Sequence, residues 1–67
     1  MRLAEKFSRN LYTIRTRRRL TQQGLAAKAG VSVSYISMLE RVQRSPPLET
    51  IDVLARALSV KPLELLQ

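Results

Sequence analysis

The chain contains no cysteine, no histidine and no tryptophan among its 67 residues. The lack of cysteine excludes disulfides and thiolate nucleophiles, and the lack of histidine excludes an imidazole base and nearly every zinc arrangement. Acidic residues are few as well, with five Asp and Glu against twelve Lys and Arg. We therefore expect no enzyme, no cofactor, no metal site and no small-molecule ligand.

Long apolar runs are also missing. No segment approaches the roughly 20 apolar residues that span a bilayer, and the N-terminal "MRLAEKFSRN" lacks the apolar centre of a secretory signal. We therefore expect a cytoplasmic protein without a membrane partner. The apolar fraction of 45% suffices for one core, so residues 1–67 are predicted to form a single domain.

Positive charge is abundant and unevenly distributed. The formal net charge is +7. Residues 1–44 carry ten Lys and Arg against two Glu, a balance of +8, whereas residues 45–67 carry two against three, a balance of −1. A polyanion is the expected partner of such a chain, and the first two thirds should contact it.

The first helix is predicted over about 3–18, because Leu3, Phe7, Leu11 and Ile14 recur at intervals of four and three. A second is predicted over about 22–29. Thr21 can cap its start, and Gly30 can end it in the left-handed conformation.

The next segment, "VSVSYISM", alternates like a strand but is followed by "LER", which has helical spacing. A strand here would have no second strand with which to pair. With Ser32 as its N-cap, a third helix over about 33–41 is the favoured interpretation. A strand is the alternative that Val31, Val33 and Ile36 support.

Two further helices complete the predicted fold. After the rigid turn "RSPP", apolar residues at helical spacing predict a fourth helix over about 48–58. Pro62 fits the first position of a short fifth helix that carries three leucines. The prediction is an all-α, compact five-helix domain.

Helices 2 and 3 are short, joined by a tight glycine turn, and the second of them has small side chains on its outer face. This arrangement predicts a helix-turn-helix, in which the second helix enters the major groove of DNA. Bulky side chains would hold that helix away from the base edges.

The residues "LTQQGLAAKAGVSVSYISMLER", followed by "SPPLETIDVLARALSV", closely resemble the XRE family of phage repressor and Cro-type regulators. The resemblance covers about residues 8–66. It implies a lambda-repressor-like domain and a sequence-specific transcriptional regulator. Such a regulator binds double-stranded operator DNA, an inverted repeat, as a homodimer.

Carried over position by position, the resemblance implies three groups of site residues. Four would read bases: Ser32, Val33, Ser34 and Met38. Seven would contact the DNA backbone: Thr21, Gln22, Tyr35, Ser37, Arg41, Gln43 and Arg44. A third group, the structural ion pair Arg15 and Glu40, would tie helix 1 to helix 3 without a role in DNA binding.

The C-terminal leucines, Leu63, Leu65 and Leu66, are predicted dimer contacts, although one or two of them should close the core. The sequence departs from the family at Arg19, Val42 and Ser59, where glycine is frequent beyond helix ends. Either these helices end differently or some strain is tolerated. The alternative function is an antitoxin or protein-interaction module built on the same fold.

Overall fold

The computed structural model describes residues 2–67, and within that range all regular structure is helical. The elements are α1 (Leu3–Arg17), α2 (Gln22–Ala29), α3 (Val33–Glu40), α4 (Leu48–Leu58) and a 3-10 helix (Pro62–Leu65). The prediction of an all-α fold is confirmed, and its four longer helices begin and end within one residue of their predicted bounds.

The predicted fifth α-helix is wrong, since the described residues contain four. The last element is a single 3-10 turn of four residues. It closes with the hydrogen bond from the Leu66 N–H to the Leu63 carbonyl, three residues earlier. A segment of four residues forms little more than one turn, and such short turns favour 3-10 geometry.

The starts of α2 and α3 are fixed by the two predicted caps. Thr21 Oγ1 accepts a hydrogen bond from the Gly24 N–H at 2.9 Å, and Ser32 Oγ accepts one from the Tyr35 N–H at 3.1 Å. Gly30, between the two helices, has a φ of 73°. The helix-turn-helix is thus confirmed, and the strand alternative for residues 31–38 is wrong, since α3 covers Val33–Glu40.

All four α-helices end in the same way, through one residue with positive φ followed by an N–H that bonds to a carbonyl five residues back. Only α2 has glycine at that residue. The other three carry Arg19, Val42 and Ser59, with φ of 57°, 59° and 59°. The chain therefore tolerates strain at three positions instead of ending these helices differently.

The core lies between the packed helices: α2 packs against α3 and α4, α1 packs against α3, and the 3-10 helix packs against α1 and α4. Its fully or nearly buried apolar residues are Phe7, Leu11, Leu25, Ala26, Ile36, Leu39, Ile51, Leu54, Ala55, Leu58 and Leu65. Asn10 Nδ2 donates to the Leu65 carbonyl at 3.1 Å, which ties the 3-10 helix to α1. Across residues 2–67, every helix falls short of the length and apolar character that crossing a membrane requires.

Candidate nucleic-acid interface

The outer face of α3 is built from short side chains. Val33 and Ser34 are exposed, Ser37 is half-buried, and Ile36 and Leu39 are fully buried on the opposite side. This division follows from helical spacing, since residues three and four apart share a face. The face can therefore approach a flat or grooved surface closely.

The remaining predicted base-reading residues lie at the edges of this face. Ser32 is exposed, and its oxygen accepts the cap bond from Tyr35. Its O–H can still donate. Met38 is half-buried, so only part of its side chain is open to a partner. Tyr35 packs partly against the core.

The start of α2 lies beside the end of α3. Thr21 is exposed, with its hydroxyl oxygen engaged as the cap. Gln22 is half-buried, and its Nε2 donates to Glu40 Oε1 at 3.0 Å. A hydrogen bond between these two side chains was not predicted from the sequence, because they are 18 residues apart.

Arg15 and Glu40 form a two-pronged ion pair between α1 and α3. Arg15 Nε lies 2.6 Å from Glu40 Oε2, and Arg15 Nη2 lies 3.1 Å from Oε1. The two side chains are 10% and 5% exposed. Arg15 Nη1 also donates to the Leu20 carbonyl at 2.7 Å. The pair is thus buried and well hydrogen-bonded, as a buried charge requires.

Tyr12 was not singled out in the sequence, but its ring centroid lies 5.3 Å from Arg15 Cζ. This separation is within cation–π range. Tyr12 is about half exposed, whereas Arg15 is buried. The sequence did contain a signal for this contact, because Tyr12 and Arg15 are three residues apart on one helix and such residues are neighbours.

The loop after α3 carries the exposed residues Arg41, Gln43 and Arg44. Between the first two, Val42 holds the left-handed conformation that turns the chain away from α3. Two exposed cationic side chains, Arg41 and Arg44, therefore come directly after α3 in the chain.

The three C-terminal leucines separate by burial. Leu65 is fully buried and closes the core, as was expected of one or two of the three, so it has no exposed surface for a dimer contact; Leu66 packs partly against the core. Leu63 is 60% exposed. In a 3-10 turn, neighbouring residues point about 120° apart, so three leucines in four positions cannot share one environment.

An apolar depression of about 150 Å³ lies close to the exposed leucines. It is lined by Leu3, Ala4, Phe7, Ser45, Pro46, Ile51 and Leu66. Leu3 is 59% exposed and Leu48, one turn before Ile51, is 77% exposed. Both belong to the apolar residues whose helical spacing predicted α1 and α4, but each is the first residue of its helix and is exposed. Leu48 and Leu63 each lie three residues before a lining residue, Ile51 and Leu66. We group these two exposed leucines with the depression and call the set the apolar patch.

Comparison with known proteins identifies relatives of the whole arrangement. The helix-turn-helix family HTH_3 matches residues 11–65. The chain is 41% identical over 56 residues to an uncharacterized HTH-type transcriptional regulator, y4dJ, of Sinorhizobium fredii (strain NBRC 101917 / NGR234). The matched segment covers 84% of this chain and 73% of that protein. It is 44% identical over 48 residues to the immunity repressor protein of Bacillus phage phi105, across 72% of this chain and 33% of the repressor.

Solved structures agree with this fold. The restriction-modification controller protein C.AhdI from Aeromonas hydrophila superimposes with a TM-score of 0.89 at 40% identity, over 92% of this chain and 94% of that one. A hypothetical transcription factor, NHTF, from Neisseria superimposes with a TM-score of 0.95 at 29% identity, over 98% of this chain and 76% of that one. The controller protein C.Esp1396I was solved as a tetramer in complex with its natural 35 base-pair operator. It superimposes with a TM-score of 0.87 at 27% identity, over 100% of this chain and 99% of that one. The resemblance seen in the sequence is confirmed, and the chain belongs to the HTH_3 family of XRE-type helix-turn-helix transcriptional regulators.

Proposed function

We propose that this chain regulates transcription by placing α3 in the major groove of an operator. The observation that carries the proposal is the outer face of α3, where Val33 and Ser34 are exposed and short, together with the exposed Arg41 and Arg44 of the loop that follows the helix. A helix with short side chains can approach base edges, and adjacent cations bind phosphates. The structural neighbour C.Esp1396I was solved in complex with its operator, which supports DNA binding by a chain of this fold.

Base reading falls to Ser32, Val33, Ser34 and the exposed part of Met38. The serine hydroxyls donate and accept hydrogen bonds, and Val33 offers methyl groups to a thymine methyl. None of these side chains can make the bidentate contacts of Arg, Gln or Asn. Specificity therefore depends on methyl contacts, bridging water and DNA shape, and is modest.

Contacts to the DNA backbone come from both sides of α3. Arg41, Gln43 and Arg44 approach phosphates from the loop, and Thr21, Gln22, Tyr35 and Ser37 from the helix-turn-helix. The two arginines supply affinity that falls with salt, because each neutralised phosphate releases counterions. These contacts set the register of α3 without reading sequence.

A second copy of the chain covers the apolar patch in the active form. The patch contains Leu48 and Leu63, which are 77% and 60% exposed. It also includes Ser45 and Pro46, in the same loop as Arg41 and Arg44. A two-fold dimer through this patch places both loops near the dyad and both α3 helices outward. The half-sites of an inverted repeat would then lie about one helical turn, ~10 bp, apart.

The test of DNA binding begins with selection of duplexes from a random pool, followed by titration on a selected and a scrambled duplex. Arg44→Ala should weaken both about equally and reduce the slope of log affinity against log salt by about 0.9. Ser34→Ala should change the ratio of the two affinities instead. Arg56→Ala, on the outer side of α4, is the matched control and should change neither.

Failure to select any duplex would overturn the proposal and favour the protein-interaction alternative. Equal effects of Arg44→Ala and Ser34→Ala on the ratio would contradict the division of roles. For the dimer, Leu48→Ser and Leu63→Ser should each weaken self-association in sedimentation equilibrium, whereas Val53→Ser, an exposed residue outside the patch, should not. Unchanged association in both leucine variants would show that the interface lies elsewhere.

A further inference from the structure

Both oxygens of the Glu40 carboxylate are engaged, and not by Arg15 alone. Oε2 accepts from Arg15 Nε at 2.6 Å, while Oε1 accepts from Arg15 Nη2 at 3.1 Å and from Gln22 Nε2 at 3.0 Å. One buried carboxylate therefore joins α1, α3 and the first residue of α2. The sequence predicted only the link between α1 and α3.

The third bond determines which way the Gln22 amide is turned. A carboxylate accepts hydrogen bonds and donates none, so the amide must present its NH₂ group to Glu40. Turning the amide over would place its oxygen against the carboxylate and lose the bond. One N–H of the Gln22 amide is thereby used inside the protein, and the other is held in a defined direction.

That second N–H lies at the amino end of α2, where unpaired backbone N–H groups and the helix dipole favour an anion. Gln22 is half-buried, so part of its side chain is open to a partner. The Arg15 guanidinium donates to Glu40 and to the Leu20 carbonyl and lies 5.3 Å from the centre of the Tyr12 ring, so its donors are used inside the protein.

We propose that Glu40 is a positioning residue for DNA binding, because it orients the Gln22 amide so that one N–H donates to a phosphate of the duplex. The proposal rests on the proposed function, and it gives the ion pair a role beyond stability. A donor that is already oriented loses less conformational freedom on binding, and one long side chain held in this way gains about threefold to tenfold in affinity.

A double-mutant cycle on the whole chain tests the coupling. Gln22→Ala, Glu40→Gln and the double variant are titrated with the selected duplex, at a temperature where circular dichroism shows each variant folded. A glutamine at position 40 has one acceptor oxygen for the three donors that Glu40 now satisfies, so the Gln22 amide loses its fixed orientation. Gln22→Ala should cost about threefold to tenfold in the native background and under about twofold in the Glu40→Gln background.

Equal losses in the two backgrounds would overturn the proposal, since a purely structural Glu40 predicts additivity. A Gln22→Ala variant that binds as well as the native chain would also overturn it and leave DNA binding itself intact. A native chain that binds no duplex would instead remove the proposed function, so the two failures are distinguishable.

A measurement on the native chain keeps the test valid if Glu40→Gln does not fold. Gln23 is the matched control, since it is exposed and next in sequence to Gln22. In NMR spectra of the free protein, the side-chain amide protons of Gln22 should exchange with water more slowly than those of Gln23. On addition of the duplex, the Gln22 amide signals should shift more. A Gln22 amide as mobile as that of Gln23 would overturn the proposal.

Discussion

Ser8 Oγ lies 2.5 Å from the backbone carbonyl oxygen of Leu39 and donates a hydrogen bond to it from α1 to the last turn of α3. Carbonyls in the last turn of a helix have no partner within that helix, and the Leu39 carbonyl also accepts a longer bond from the Val42 N–H at 3.3 Å. Ser8 is 3% exposed and Leu39 is fully buried, so water does not replace the bond. The end of α3 is thus held against α1 beside the Arg15–Glu40 pair.

Replacing Ser8 by alanine should therefore destabilise the fold. Loss of a buried hydrogen bond of this kind costs about 1 kcal/mol, which lowers the thermal midpoint of a domain of this size by roughly 4–8 °C. Ser34→Ala, at an exposed serine on the outer face of α3, is the control and should shift the midpoint little. Equal midpoints for the two variants in thermal unfolding would contradict the role given to Ser8.

Val42→Gly should stabilise the protein. A non-glycine residue in the left-handed conformation destabilises the fold by about 1–2 kcal/mol, and glycine removes this strain. Glycine also loses more conformational entropy on folding, which offsets roughly 0.5–1 kcal/mol of the gain. We expect a net gain of about 0.5–1 kcal/mol in the free energy of unfolding, measured by urea denaturation. Val42→Ala keeps a Cβ at the same φ of 59° and should gain less than Val42→Gly. Equal gains would mean that the strain at this position is not the cause.

Breaking the buried ion pair should be far more damaging than breaking an exposed one. Glu40→Gln leaves Arg15 without a countercharge at 10% exposure and should cost about 3–5 kcal/mol. The control is Asp52→Asn, which removes an exposed pair in which Arg56 Nη2 lies 3.3 Å from Asp52 Oδ2. Surface pairs contribute about 0–1 kcal/mol. An unchanged midpoint in Glu40→Gln would show that the pair contributes no stability.

The C-terminal leucines should differ sharply in their contribution to stability. Leu65→Ala empties a fully buried site and should cost about 2–5 kcal/mol. Leu63→Ala changes a residue that is 60% exposed and should alter the free energy of unfolding of the monomer, at dilute protein, by less than about 0.5 kcal/mol. Denaturant titrations of the two variants compare them directly. Similar losses would place Leu63 in the core as well.

Local signals predicted most of the fold. The caps Thr21 and Ser32 and the turn residue Gly30 mark helix boundaries through their own side chains or backbone freedom, so the bounds of α2 and α3 follow from the sequence. The 3-10 turn was not predicted, because a leucine-rich segment after a proline fits an α-turn equally well. Only packing against α1 and α4 distinguishes Leu65 from Leu63.

The candidate site was predictable in its residue types and less so in its contacts. The spacing of Ser34 on α3 determines that it faces outward, since helical periodicity is local. The bond between Gln22 and Glu40 depends on how α2 lies against α3, and no spacing within either helix reports that. The exposure of Leu3 and Leu48 was missed because a pattern of apolar residues does not show where the core stops.

The connection between α2 and α3 has only three residues, Gly30 to Ser32, and two of them are committed to helix ends. The turn cannot absorb an inserted residue without moving a helix end. The insertion would shift the residues of α3 by one position, which corresponds to a rotation of about 100° about the helix axis. Outward positions such as Val33 and Ser34, by contrast, contribute almost nothing to the core. New binding preferences can therefore arise in this domain by exchange of single side chains on α3, whereas the number of residues between α2 and α3 is constrained.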